Sequence, residues 1–151
     1  MGAKIALNEL RFPCNSMVEP RLLNRLATQL PVLWPAHELL VWEQATAFDL
    51  MHVQGRGDRL HGLTLLQGED DLSRAAEQAQ AACNWYWMVV APDASAGVRA
   101  AIQDVRTAWR AGVLEWRDDG LHKLHQAPPR PGIFVTKYPE LRAEWRKISS
   151  W

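Results

Sequence analysis

Gly62-Leu63-Thr64-Leu65-Leu66-Gln67, then Asp70-Asp71-Leu72-Ser73-Arg74, then Gln78, then Trp85-Tyr86-Trp87-Met88-Val89-Val90: residues 62–90 decide the fold. Leu60 to Leu66 reads as a strand. Asp70 or Asp71 opens a helix that runs to about Cys83, and its acidic start suits the positive end of the helix dipole. Ala75, Ala76, Ala79 and Ala82 give that helix a small-residue face able to lie close on a sheet. Tyr86 to Ala91 is nearly all apolar, as a central strand covered on both faces requires.

Upstream, Phe48-Asp49-Leu50-Met51-His52-Val53 alternates as a strand should, and Leu39 to Trp42 forms another extended run. The glycines of Gln54-Gly55-Arg56-Gly57-Asp58 mark the turn between Val53 and Leu60. Earlier still, Val18, Leu22, Leu23, Leu26, Ala27 and Leu30 recur at helical spacing over residues 16–30. Ser16 and Glu19 have capping-box spacing, Pro20 fits a first turn, and Pro31 and Pro35 end the helix.

Downstream, Pro92 to Gly97 reads as a loop and Val98 to about Ala111 as a helix. Residues 113–116 and 121–125 form a hairpin across Asp118-Asp119-Gly120. His122 and His125, three apart on one strand, are expected on opposite sides. Pro128-Pro129-Arg130-Pro131 reads as a linker, followed by a short terminal helix from Pro139 to about Ile148. The order α-β-β-β-α-β-α-β-β-α is α/β, with a mixed central sheet flanked by helices. Residues 1–128 form the domain, and 129–151 supply the Pro-rich linker and a helix packed on it.

A chain of 151 residues can bury a core without staples. Its formal net charge is zero, which argues against retention on nucleic acid by bulk electrostatics alone. The charge is uneven: residues 1–100 hold eight Lys/Arg against eleven Asp/Glu, and residues 101–151 hold nine against six. Two cysteines, Cys14 and Cys83, are too few and too far apart for a metal site. They point to a reduced, cytoplasmic setting. No apolar run reaches membrane-spanning length, so no membrane partner is expected. Eight Trp, at 34, 42, 85, 87, 109, 116, 145 and 151, belong in the core or under a partner. No phosphate loop, nucleophile elbow or dinucleotide fingerprint is present.

The pattern of residues 62–90, with Phe48-Asp49-Leu50 before it, resembles the PD-(D/E)XK nuclease superfamily over about residues 16–128. Small bacterial members carry a Gly-x-Glu-Ile-Lys-Ser strand, an Asp-x-Leu-x-Arg helix with a Gln four residues later, and a Val-rich strand. The resemblance implies a restriction-endonuclease-like α-β-β-β-α-β core. It makes Asp49 the first acidic ligand, Glu19 the helical Glu before it, and Gln78 the supporting polar residue. In that chemistry two carboxylates hold Mg²⁺, which activates a water, and a Lys two positions after the second carboxylate stabilises developing charge.

This chain has Thr64 where the second carboxylate belongs and Leu66 where the Lys belongs. Neither binds Mg²⁺ well nor carries charge, so Asp49 is left as the one standard metal ligand and no cofactor is expected unless catalysis survives with Mg²⁺. Glu43, Glu69 or Asp70 could replace the lost carboxylate, and Arg74 the Lys. Glu69 and Asp70 fit helix capping better, Glu43 a solvated strand end, and Arg74 an ion pair.

Three functional expectations follow. The first is a catalytically degenerate nuclease-fold protein associated with nucleic acid or a nucleic-acid-processing complex. Arg56, Arg59, Arg74 and Lys123 would reach phosphates near the old site, with Arg142, Arg146 and Lys147 adding charge. Against it, residues 38–77 hold eight acids and three arginines. The second is a protein–protein module, an inhibitor, adaptor or assembly component of phage or mobile-element type, anchored by residues such as Trp145 and Trp151. The third is a metal-dependent nuclease with rearranged ligands.

Overall fold

The βαβ segment builds the centre of a six-stranded mixed sheet in a computed structural model that describes residues 20–34, 38–39, 48–54, 59–81 and 83–130. The elements are α1 (Pro20–Leu33), β1 (Glu38–Leu39), β2 (Leu50–Gln54), β3 (Arg59–Leu66), α2 (Asp71–Gln78), β4 (Trp85–Val90), α3 (Ala96–Val105), β5 (Ala111–Arg117) and β6 (Gly120–His125). The strands lie in the order β1-β2-β3-β4-β5-β6. β1, β2 and β3 form an antiparallel meander, β3, β4 and β5 run parallel, and β6 returns antiparallel to β5. Each parallel step uses a helix as its crossover, because neighbouring parallel strands cannot be joined by a tight turn.

Alternation along β3 and β4 sorts side chains onto two faces. Leu63, Leu65, Trp87, Val89, Leu114, Trp116 and Leu121 pack against Leu23, Leu26, Ala27 and Leu30 of α1. Leu60, Leu66, Tyr86, Met88, Val90 and Val113 pack against Ala75, Ala79, Val98 and Ile102 of the other two helices. Two cores on one sheet make a three-layer α/β domain. At the edge of the α1 face, His61 lies between Trp34 and Trp85, with ring centroids 4.2 and 4.5 Å away. Trp87 Nε1 donates to His61 Nδ1 at 2.9 Å.

Several boundaries differ from the sequence expectation, each for a physical reason. α1 continues past Pro31 to Leu33. Proline removes one amide but not the next, and Trp34 N still donates to Leu30 O at 2.9 Å. α2 stops at Gln78 rather than Cys83, since the Arg130 guanidinium takes the Ala79 carbonyl at 2.7 Å. α3 starts two residues early because Ser95 caps it, its Oγ accepting from Val98 N at 3.2 Å. Gly120 has φ +125°, so the hairpin closes on Asp118-Asp119.

A register shift in β5–β6 sets His122 opposite Glu115 and His125 opposite Val113. The partners are two apart, so this bulge brings the two histidines to one side of the strand, against the simple alternation rule. Arg130 ties the start of the Pro-rich stretch down: its N donates to Asn84 O at 2.7 Å, and its side chain reaches Ala79 O and Trp109 O. Among the described residues no helix is long and apolar enough to cross a membrane.

Candidate functional site

Asp49 sits immediately before β2, where the meander sets it beside Thr64 of β3: Leu50 pairs with Leu63, and Asp49 N donates to Leu63 O at 3.1 Å. The residue is 3% exposed. A carboxylate this deep requires partners on both oxygens. Oδ1 accepts from Arg74 Nε at 3.0 Å and from Gln78 Nε2 at 2.9 Å. Oδ2 accepts from Arg74 Nη2 and from Leu65 N, both at 2.9 Å. Two oxygens offer about four acceptor positions, and all four are taken.

α2 delivers the donors. Arg74 and Gln78 are one turn apart, so both point at the sheet from one helical face. The Arg74 fork meets Asp49 bidentately, while Nη1 donates to Asp71 Oδ1 at 2.7 Å and Nη2 also donates to Leu65 O at 2.8 Å. The guanidinium therefore lies among the Asp49 carboxylate, the Asp71 carboxylate and the Leu65 carbonyl. Those are the oxygen donors a hard divalent cation would take. Burial works against the Arg74 charge, but the Asp49 and Asp71 carboxylates outweigh it and hold the group above its ordinary range.

Gln78 orients the next layer. With Nε2 on Asp49, its Oε1 accepts from the Thr64 hydroxyl and from Asp49 N. The Tyr86 hydroxyl lies 2.7 Å from Thr64 Oγ1 and 3.2 Å from Ala75 O. With the Thr64 proton on Gln78, the single Tyr86 proton is shared between Thr64 Oγ1 and the Ala75 carbonyl. Burial pushes the Tyr86 hydroxyl well above the usual tyrosine range, which keeps it protonated.

Asp71 completes the arrangement, its Oδ2 accepting from Gln67 N at 2.8 Å and Gly68 N at 3.1 Å. Burial would raise its pKa, but those amides and Arg74 prevail and hold the carboxyl below the ordinary range.

Of the positions singled out from sequence, the fold brings together Asp49, Thr64, Gln78 and Arg74. Leu66 is fully buried in the apolar core under α2 and α3, with no polar role. Arg74 spends four of its five N–H groups on Asp49, Asp71 and the Leu65 carbonyl, and its side chain is 11% exposed, so it faces inward rather than standing out on a nucleic-acid surface. Lys123 is exposed on β6, three strands from β3, and donates to Gln126 Oε1 at 2.9 Å, so it does not border this site. Asp70 makes no side-chain cap. Asp71 holds the loop amides instead, and the Glu69 side chain lies over Gly97. Glu19, Glu43, Arg56, Arg142, Trp145, Arg146, Lys147 and Trp151, and the Arg59 side chain, lie outside what is described.

Tyr86 and Asp71 were missed as site residues. A Tyr in an apolar strand gives no local hint that its hydroxyl meets a Thr on the neighbouring strand. Asp71 stood in the quoted helix motif but read only as a helix-dipole acid. Among the described residues no group of three or more His, Cys, Asp or Glu is placed to hold a metal ion.

No family model and no curated protein matches this chain. Among solved structures it is similar to the SPO1766 protein of unknown function from Silicibacter pomeroyi, with a TM-score of 0.52 and 13% sequence identity, covering 83% of this chain and 81% of that one. At that identity the likeness is one of fold: an α/β domain with a mixed sheet and flanking helices.

Proposed function

We propose that this protein is a catalytically silent nuclease-fold domain, in which a tethered guanidinium stands where a divalent cation would bind, and that it acts by association with nucleic acid or a nucleic-acid-processing complex. One observation carries the reading: Arg74 engages both oxygens of Asp49 together with Leu65 O and Asp71. A carboxylate with every acceptor position filled has nothing left for Mg²⁺. A guanidinium supplies charge but neither activates a water as a metal does nor serves as a base. The order α-β-β-β-α-β through β4 and the placing of Asp49 beside Thr64, both bonded to Gln78, support the nuclease-like ancestry expected from the sequence motifs.

The same geometry supports association away from this point, because Arg74 is neutralised by its two acids. The test is incubation of the pure chain with supercoiled and single-stranded DNA in Mg²⁺ or Mn²⁺, beside Asp49→Ala. The expected result is no cleavage by either protein. Metal-dependent cleavage that Asp49→Ala abolishes would overturn the reading.

A further inference from the structure

Away from the Asp49 site, Arg99 and Arg117 both reach Glu115. Arg106, Arg110 and Arg130 are different, as none forms an ion pair with a described carboxylate. All three gather where α2 and α3 end. Arg106 and Arg110 stand four apart across the turn closing α3, a like-charge spacing that is unfavourable on a helical surface.

Beside them lies an open cleft of about 420 Å³ lined by Ala79, Gln80, Ala108, Trp109, Arg110 and Arg130. Arg130 forms its floor. Its terminal nitrogens donate to Ala79 O at 2.7 Å, Trp109 O at 2.5 Å and Arg110 O at 3.4 Å, and Cys83 Sγ lies 3.7 Å away. The guanidinium also stacks over the Tyr86 ring at 5.4 Å. Those donors are committed, so Arg130 contributes positive potential rather than contact.

Arg110 is the residue free to make contact. It is exposed and has one long bond, from Nη2 to Pro129 O at 3.3 Å. Its backbone has φ +52°, in the left-handed region where glycine is favoured and an arginine is strained. A turn that would fold more easily with glycine keeps an unpaired cation at the lip of a cleft. Strain of this kind concentrates at functional positions. Trp109, half-buried beside it and packed along the edge of the apolar core, lines the same cleft.

We infer that this cleft binds single-stranded nucleic acid, with Arg110 on a phosphate and a base stacked against Trp109. The chemistry is that of single-strand sites generally, where guanidinium charge tracks the backbone and aromatic rings accept bases without sequence preference. The inference rests on the nucleic-acid association proposed above and locates it away from the Asp49 site. The 21 residues after Arg130 hold Lys137, Arg142, Arg146 and Lys147 against Glu140 and Glu144, so the chain that follows is also net basic.

The test is fluorescence anisotropy of a short labelled single-stranded oligonucleotide, titrated at several salt concentrations with the full chain, Arg110→Gly and Trp109→Ala. Glycine relieves the positive φ, so Arg110→Gly should unfold at the same or higher temperature. It should nevertheless bind on the order of tenfold more weakly, with the salt slope reduced by about one. Trp109→Ala should weaken binding about fivefold or more. If the parent chain binds no oligonucleotide at low salt, nucleic-acid association itself is wrong. If it binds and Arg110→Gly binds equally well with the same slope, association stands and this cleft is overturned.

Discussion

Arg74→Ala is the most informative single change. The substitution removes both guanidinium bonds to Asp49, the bond to Asp71 and the bond to Leu65 O. Asp49 keeps only Gln78 Nε2 and Leu65 N as donors, at a position 3% exposed. The Arg74 side chain is itself only 11% exposed, so solvent screens little of the lost interaction. Removing one partner of a buried pair strands the other charge, at a cost of about 3–5 kcal/mol. For a chain of this size each kcal/mol lowers the unfolding midpoint by about 3 °C, which gives roughly 9–15 °C. Arg74→Lys keeps the charge but not the planar fork, and should fall between. Adding Asp49→Asn to Arg74→Ala removes the stranded charge and should recover part of the loss. Urea titrations of the four proteins at constant m measure these differences. A loss below about 1 kcal/mol for Arg74→Ala would refute the buried-pair reasoning, and so would an equal loss with and without Asp49→Asn.

Three further outcomes are expected. The folded-state pKa of Asp71 lies below its unfolded value of about 3.9, so its contribution is fully present above that value and is lost as pH falls through the folded one; the urea-midpoint gap between the parent chain and Asp71→Asn should therefore shrink as pH drops toward 3, and a gap that grows would contradict the assignment. Burial pushes the Cys83 thiol up to about 11, partly offset by Arg130; in a Cys14→Ser chain Ellman's reagent should label it only at the rate of unfolding, whereas fast native labelling at pH 8 would show an open site. A Cβ on Gly112 would lie 2.5 Å from the Trp87 ring and 2.6 Å from Ala127 N; Gly112→Ala should cost about 1–3 kcal/mol in the same titrations, and an unchanged midpoint would mean that the 126–130 segment does not pack there.

Much of this domain was legible in residues 48–90 because the signals there are local. The apolar run at Tyr86–Val90 has the pattern of a covered strand, and it forms β4. Asp49, Thr64 and Gln78, far apart in sequence, meet through hydrogen bonds, and Arg74 pairs with Asp49 and Asp71, the ion pair its setting suggested. What local pattern could not carry were contacts across the fold. Leu65 N as a donor to Asp49 depends on β2–β3 register, and Tyr86 beside Thr64 depends on β3–β4 register. The bulge that aligns His122 with His125 has no glycine or proline to announce it. Arg130 looked like part of a linker because its partners, the carbonyls ending α2 and α3, are about twenty and fifty residues away in sequence. Arg110 carries no sequence mark of its positive φ, since arginine is not a residue expected there.

The Asp49 centre is tested most directly by Mn²⁺ titration of the full chain, followed by electron paramagnetic resonance of the free ion. If the Arg74 guanidinium fills the cation position, the parent chain leaves Mn²⁺ free. Arg74→Ala, with Asp49, Asp71 and the Leu65 carbonyl uncovered, takes up the ion weakly. Stoichiometric Mn²⁺ uptake by the parent chain that disappears in Asp49→Ala would contradict it.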